Sequence, residues 1–312
     1  MSEAALSRFR KLARWLAAGA LTLGFLALAA ATLDLGAVAH ALAQTNPAAW
    51  AGVIALSAAM TGLRFLRIAE ALNARPSFPL FRVAAAHGAA LAVLPARTGE
   101  AAFPIALRAI CKRSMAGAVG ALLLIRLGDL AVLTAMAGGL AFLLRDELGM
   151  GPWAFPALLA LAAPLLWALI PYAAGALAKR TRIAALRKVS AGAADIDRFG
   201  PARLFAHTAA LWLILALAAQ VAARGAGLEL PFAHAALAGV AASFAFALPV
   251  NGLASAGPFE AAFAGALALL GHAPEQALAA AILLHVAAIF VALASAAGAE
   301  GVVALRLRAR ST

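Results

Sequence analysis

The stretch at residues 83–107, VAAAHGAALAVLPARTGEAAFPIAL, is apolar at both ends and polar in the middle. Its apolar pieces, 83–94 and 101–107, are each shorter than the roughly 20 residues that a helix needs to cross a bilayer. Basic side chains flank the stretch, with Arg82 before it and Arg108 after it. We therefore expect a re-entrant helical hairpin that enters and leaves the membrane on the same side.

The composition of the whole chain indicates a membrane environment. Of its 312 residues, 65% are hydrophobic and only 12% are charged, whereas soluble domains have about 45–50% apolar and about 25% charged residues. Uncharged runs close to 20 residues long recur, beginning with residues 15–33. A soluble domain is excluded, and the sequence predicts an all-α polytopic membrane protein.

The apolar runs around this hairpin predict about six full membrane spans and a second re-entrant hairpin. The spans are expected at residues 15–33, 47–62, 114–144, 148–178, 204–223 and 276–299. Residues 63–73 are expected to form a separate amphipathic piece at the membrane surface. The second hairpin is expected at residues 230–271, where the apolar run is interrupted by Pro249, Asn251, Gly252, Gly257 and Pro258.

The two halves of the chain share one order of elements: span, span, hairpin, span. Because each half makes three full crossings, the second half must have the opposite orientation in the membrane. Inverted repeats of this kind are typical of secondary transporters, where the broken segments meet near the middle of the bilayer. The sequence therefore predicts a single transmembrane domain over residues 1–312, built from inverted repeats at 1–147 and 148–312.

The net charge of +12 is explained by the loops. Of the 25 Lys and Arg residues, 21 fall on one side of the predicted layout, two on the other side and two within the membrane. The positive-inside rule makes the basic side cytoplasmic, so both termini are expected in the cytoplasm of a bacterial cell, at its inner membrane. The basic loops are expected to contact anionic lipid headgroups, and no nucleic-acid partner is expected.

Five ionisable residues fall in apolar territory: Arg97, Glu100, Arg126, Asp129 and Glu260. A charge in hydrocarbon costs about 2.5–3.5 kcal/mol on insertion scales, so such residues usually face a partner or a polar cavity. The first four form two pairs with i,i+3 spacing, and an arginine presents a planar fork of donors that suits phosphate. We expect a substrate-binding site for a lipid phosphate, to which Gly99, Asn251 and Gly257 also contribute.

Structural roles fit the same residues. Buried pairs of arginine and carboxylate often serve only to hold helices together. Glu260 fits either a proton carrier or a neutral cap of a helix. Of the six histidines, only His87 and His285 lie deep in apolar runs and merit mutagenesis.

Neither a metal site nor a cofactor is expected. The histidines show no metal-ligand spacing such as HxxxH or HExxH. Cys111 is the only cysteine, so a disulfide within the chain is excluded.

Three motifs, taken in order, resemble a known family. They are LPARTGE at 94–100, IRLGDL at 125–130 and LPVNGLASAGPFEAAFAGAL at 248–267. Together they are similar to the flippase-like family named for the transmembrane region of lysylphosphatidylglycerol synthase, and the resemblance covers nearly the whole chain. It implies lipid translocation between leaflets, with the polar residues of the pattern at Arg97, Gly99, Glu100, Arg126, Asp129, Gly257 and Glu260.

The resemblance also bears on enzymatic activity. The aminoacyl-transferring members carry a soluble catalytic domain after the membrane part, whereas this sequence stops at Thr312. We therefore expect that this chain alone does not aminoacylate lipid and that it is not an enzyme.

These observations favour a flippase-like transporter for an anionic or phosphate-bearing lipid. One alternative is a membrane-embedded lipid-modifying enzyme that uses Glu100 or Glu260 as acid or base. Another is a non-catalytic membrane partner of a lipid or glycan synthase, such as a glycosyltransferase. The sequence leaves the oligomeric state open.

Overall fold

The computed structural model describes residues 3–95, 97–149, 151, 154–180, 200–247 and 252–311, and every regular element within these ranges is helical. The α-helices, in chain order, are α1 (Glu3–Thr32), α2 (Leu35–Gln44), α3 (Pro47–Ala71), α4 (Phe78–Val93), α5 (Ala102–Cys111), α6 (Met115–Leu143), α7 (Ala154–Arg180), α8 (Gly200–Gly225), α9 (Phe232–Ala247), α10 (Pro258–Leu269) and α11 (Pro274–Ser311). The predicted all-α architecture is confirmed. Two short 3-10 turns, Thr98–Ala101 and Leu253–Ser255, precede α5 and α10.

Within the described residues, five helices are long and apolar enough to cross a membrane. These spans are Trp15–Thr32, Pro47–Ala71, Met115–Leu143, Gly200–Gly225 and Pro274–Ala309. The predicted span at 148–178 corresponds to α7, a helix of 27 residues in which positions 154–178 carry no charge. Large apolar side chains cover the outside of α7, for example Leu161 and Leu165, which are 68% and 67% exposed. Lipid tails are the solvent that suits such a surface.

Both predicted hairpins are interrupted helices. In the first, α4 ends at Val93 and α5 begins at Ala102; in the second, α9 ends at Ala247 and α10 begins at Pro258. The order of lengths also recurs: α3, α4, α5 and α6 have 25, 16, 10 and 29 residues, and α8 to α11 have 26, 16, 12 and 38. The re-entrant course of the hairpins and the inversion of the repeats stay predictions.

Two helices extend further than the sequence suggested. The predicted surface piece at 63–73 is not a separate element, because α3 continues without a break to Ala71. It contains no proline or glycine after Gly62, and its apolar residues continue the buried stripe of α3. The last helix, α11, has 38 residues and is about 57 Å long at 1.5 Å per residue, almost twice the thickness of the hydrocarbon core.

The chain folds into two compact units, each with residues from both halves of the sequence. The Glu260 unit comprises Met1–Ala55, Ala89–Glu100 and Ala216–Phe290. The Asp129 unit comprises Leu56–Gly88, Ala101–Leu215 and Val291–Thr312. Fully buried Phe263, Leu267 and Leu283 are in the core of the first, and Val83, Phe103 and Leu107 are in the core of the second. Within the Asp129 unit the His87 ring lies edge-on to the Phe103 ring.

Candidate functional site

The predicted site residues fall into two groups. The Asp129 unit contains Arg126 and Asp129, and the Glu260 unit contains Arg97, Gly99, Glu100, Gly257 and Glu260. Asn251, which the sequence also predicts, lies outside the described residues. Each unit therefore has its own cluster of charged side chains among apolar helices.

Asp129 is buried within α6 and accepts hydrogen bonds from three side chains. Arg126, one turn earlier on the same helix, donates from Nη1 to Oδ2 over 2.9 Å. Arg67 of α3 donates from Nη2 to Oδ1 over 2.6 Å. Trp212 of α8 donates from Nε1 to the same oxygen over 3.1 Å. The predicted pairing of Arg126 with Asp129 is confirmed, and three helices of the Asp129 unit meet at this one carboxylate.

Arg67 is a functional candidate that the sequence analysis missed, because it fell in the expected surface piece. Only 4% of its side chain is exposed. Besides Asp129, its Nη2 donates to the backbone carbonyl of Ile125 over 3.2 Å, and its buried Nε has no hydrogen-bond partner among the described residues. The uninterrupted apolar pattern of α3 around Arg64 and Arg67 was the signal that both belong to the membrane helix.

Arginine exceeds carboxylate in this cluster. Arg64 lies one turn before Arg67 on α3, is exposed, and forms no hydrogen bond or ion pair with the residues that the structure describes. The Arg126 side chain is 34% exposed, so its guanidinium reaches the surface of the unit. Guanidinium groups stay charged at any physiological pH, and Asp129 balances only one of the three. The described cluster therefore has more positive than negative formal charge.

Arg97 lies in the break between α4 and α5, in the Glu260 unit. It adopts a left-handed conformation with φ of 54°. Its Nη2 donates to Glu100 Oε1 over 2.5 Å, which confirms the second predicted pair. Its Nη1 donates over 2.6 Å to the carbonyl oxygen of Phe246, and the guanidinium lies 5.6 Å from the Phe246 ring centroid.

The bond to Phe246 has a further consequence for the breaks. Phe246 lies in the last turn of α9, where backbone carbonyls have no partner within the helix and the helix dipole attracts a cation. Arg97 therefore caps the helix that leads into the second break. Within the Glu260 unit, the first break therefore lies next to the end of α9.

Gly99 allows the chain to fold back on α4. A Cβ atom at this position would lie 2.5 Å from the carbonyl oxygen of Ala90 and 2.7 Å from the amide nitrogen of Leu91. Real Cβ atoms do not come so close to backbone, so only glycine fits against the last turns of α4. This observation gives Gly99 a structural role, which needs no substrate.

Glu260 is buried at the start of α10, in the second break. Its Oε2 accepts a hydrogen bond from the backbone N–H of Gly257 over 2.8 Å, where Gly257 has φ of 111°. Its Oε1 forms a short hydrogen bond with Nδ1 of His285 on α11. Glu260 therefore caps the start of α10, which is part of one of the two roles that the sequence allowed, and its side-chain partner is one of the two histidines that the sequence singled out.

A comparison with protein families decides the relationship of the chain. The family model of the lysylphosphatidylglycerol synthase TM region matches residues 15–296. The chain belongs to this family. No curated protein matches the chain.

The range that matches the lysylphosphatidylglycerol synthase TM family, residues 15–296, includes all the charged residues of the two clusters described above. The resemblance that the motifs suggested is therefore confirmed. Together with the five long apolar helices, it makes the chain an integral membrane protein of a lipid-related family. The sequence motifs contained neither Arg67 nor Trp212, because both reach Asp129 from helices distant in the chain.

Proposed function

We propose that this chain is a flippase-like transporter that moves an anionic, phosphate-bearing lipid between the leaflets of a bacterial inner membrane. In this proposal both termini are cytoplasmic, the two halves are inverted repeats, and the chain catalyses no covalent step. The observation that carries the proposal is the excess of arginine over carboxylate around Asp129.

The charge balance explains why a phosphate suits this cluster. Arg67 and Arg126 lie in membrane-spanning helices, and they share one carboxylate. Two guanidinium groups around one carboxylate give a surplus of positive charge, which is unfavourable in hydrocarbon. A lipid phosphate supplies negative charge, and its oxygens match the planar fork of Arg126, which reaches the surface of the unit.

The surroundings support a lipid rather than a free ion. On α6 the residues adjacent to Arg126 and Asp129 along the chain include Leu127 and Leu130, which are 43% and 55% exposed. Such side chains provide apolar contact for acyl chains next to the cationic group. The family is named for the membrane region of a synthase whose product is a phospholipid, which also favours a phospholipid as cargo.

Reconstituted vesicles test the proposal. The full chain is inserted into liposomes that contain tail-labelled phosphatidylglycerol or tail-labelled phosphatidylcholine, and the movement of label between leaflets is measured. We expect faster movement of phosphatidylglycerol, because only its headgroup carries net negative charge. Arg126→Ala and Arg126→Lys should each lower that rate at least tenfold.

Arg203 provides a matched control in the same unit. Its Nε lies 2.9 Å from Oε2 of Glu70, and its side chain is 45% exposed. Among the described residues Glu70 pairs with this one arginine, whereas Asp129 pairs with two. Arg203→Ala should therefore transport normally. Normal transport by a well-folded Arg126→Ala protein would exclude the proposed site. A change in the mass of the lipid would indicate an enzyme, and vesicles with neither movement nor chemistry would indicate a non-catalytic partner.

A further inference from the structure

The junction of α5 and α6 forms a cationic cavity that shares no lining residue with the Asp129 cluster. α5 ends at Cys111, Lys112 turns the chain with φ of 54°, and Ser114 caps the first turn of α6 by accepting from the N–H of Gly117 over 3.2 Å. This sharp turn places the last turns of α5 beside the start of α6. Between them is a cavity of about 490 Å³ that is largely open to the surroundings.

The lining of the cavity combines positive charge with apolar surface. Its residues are Ile105, Arg108, Ala109, Lys112, Arg113 and Met115. The lining contains three cations and no carboxylate. None of the three cations forms an ion pair with the residues that the structure describes.

The spacing of the lining residues separates the apolar surface from the positive charge along α5. Ile105, Arg108 and Lys112 lie on one face of the helix, because they are separated by three and four residues. The apolar member is therefore one to two turns before the cations, and Ile105 is 59% exposed. Met115, 39% exposed, adds apolar surface from the first turn of α6. The backbone N–H groups at this start of α6 favour an anion in addition.

We propose that this cavity binds one anionic phospholipid of the surrounding membrane, with the phosphate at Arg108, Lys112 and Arg113 and an acyl chain along Ile105 and Met115. Three like charges in one cavity repel each other, and a bound phosphate removes that repulsion. A zwitterionic lipid does so less well, because its own ammonium group is repelled. The site does not depend on the transport proposal, since it holds a lipid instead of moving one.

Binding of defined lipids to the purified full chain tests the site. Native mass spectrometry in detergent is used to count short-chain phosphatidylglycerol and phosphatidylcholine bound at equal concentrations. We expect wild type to retain one phosphatidylglycerol at a concentration where phosphatidylcholine is lost. The triple change Arg108→Gln, Lys112→Asn and Arg113→Gln should weaken that binding at least tenfold; asparagine at position 112 tolerates the left-handed backbone.

The chain offers a control with the same loss of charge. Arg75, Arg306 and Arg308 are exposed and lie outside the cavity, so changing all three to Gln should leave phosphatidylglycerol binding within twofold of wild type. Equal loss in both triple variants, or equal binding of the two lipids, would overturn the proposal. If the cavity triple variant gives no folded protein, Lys112→Asn alone should still weaken the binding of phosphatidylglycerol at least threefold. Unchanged binding in this single variant would overturn the proposal.

Inorganic phosphate distinguishes a lipid from a free anion as the ligand. In the proposed site Ile105 contacts only the acyl chain of the lipid. Ile105→Asn should therefore weaken the binding of phosphatidylglycerol, while the binding of inorganic phosphate, measured by competition at millimolar concentration, should stay unchanged. If Ile105→Asn has no effect and phosphate displaces the lipid completely, the cavity is a site for small anions, and the lipid assignment is wrong.

Discussion

Asp129 and Glu260 are two buried carboxylates in apolar helices, and their partners differ in kind. Asp129 is held by two arginines and a tryptophan from three helices. Glu260 is held by the backbone N–H of Gly257 and by His285. Arginine keeps its proton, whereas a histidine and a carboxylic acid can exchange one. The Asp129 cluster therefore contains more arginine than carboxylate, while Glu260 has no arginine among its described partners.

The largest expected effect is the loss of Asp129. Asp129→Ala leaves Arg67 buried beside Arg126 without the shared carboxylate, and breaking a buried ion pair costs about 3–5 kcal/mol. We expect a severe loss of folded protein, measured as monodisperse yield and thermal stability in detergent. Glu300→Ala is the control, because Glu300 pairs with Arg82 at a position where its side chain is 58% exposed.

A neutral replacement sharpens this result. The double change Arg67→Met with Asp129→Leu should recover much of the lost stability, because apolar residues of similar volume often replace a buried pair at little cost. If Asp129→Ala is as stable as the Glu300→Ala control, the cluster does not hold α3, α6 and α8 together.

The next effect concerns Glu260 and separates its hydrogen bonds from its charge. Glu260→Ala removes the acceptor for Gly257 and the partner of buried His285, which should lower the free energy of unfolding by about 1–3 kcal/mol. Glu260→Gln keeps an oxygen for Gly257 and an amide donor for His285, so its stability should stay within about 1 kcal/mol of wild type. Unfolding of both variants in detergent measures the difference. Equal losses would mean that the negative charge itself is needed.

The smallest expected effect concerns Arg97, whose pair with Glu100 is only partly buried. Arg97→Ala removes the ion pair and leaves the Phe246 carbonyl at the end of α9 without this donor, at a cost of about 0.5–1.5 kcal/mol. Arg145 provides the control, since it also donates to a backbone carbonyl, that of Phe142, and contacts the Phe142 ring. Its side chain is 40% exposed, so Arg145→Ala should change thermal stability by less than Arg97→Ala does.

Transport by the same variants decides the role of Arg97. The structure gives it two intramolecular partners, so a purely structural arginine predicts a stable and fully active double variant, Arg97→Ala with Glu100→Ala. Loss of lipid movement in that stable double variant would indicate that Arg97 binds the lipid substrate.

Local relationships in the chain were predictable. The Arg126–Asp129 and Arg97–Glu100 pairs follow from their i,i+3 spacing. The first interruption follows from apolar runs too short to cross, and the second follows from the proline and glycine residues within its apolar run. Glu260 as a cap follows from its place three residues after Gly257. The extent of α3 was predicted wrongly, because Arg64 and Arg67 were read as the charged end of a span, although the helix continues to Ala71.

By itself, the sequence determined that the protein lies in a membrane, that it is all-helical, and where its two hairpin helices are interrupted. These properties depend on hydropathy and on helix-breaking residues, which act over a few turns of chain. Only the tertiary structure decided that Asp129 also binds Arg67 and Trp212, and which carbonyl Arg97 caps. Arg67 and Trp212 are 62 and 83 residues from Asp129, and Phe246 is 149 residues from Arg97. A charge in apolar surroundings needs a partner, but packing of the helices selects it, and no local pattern contains that information.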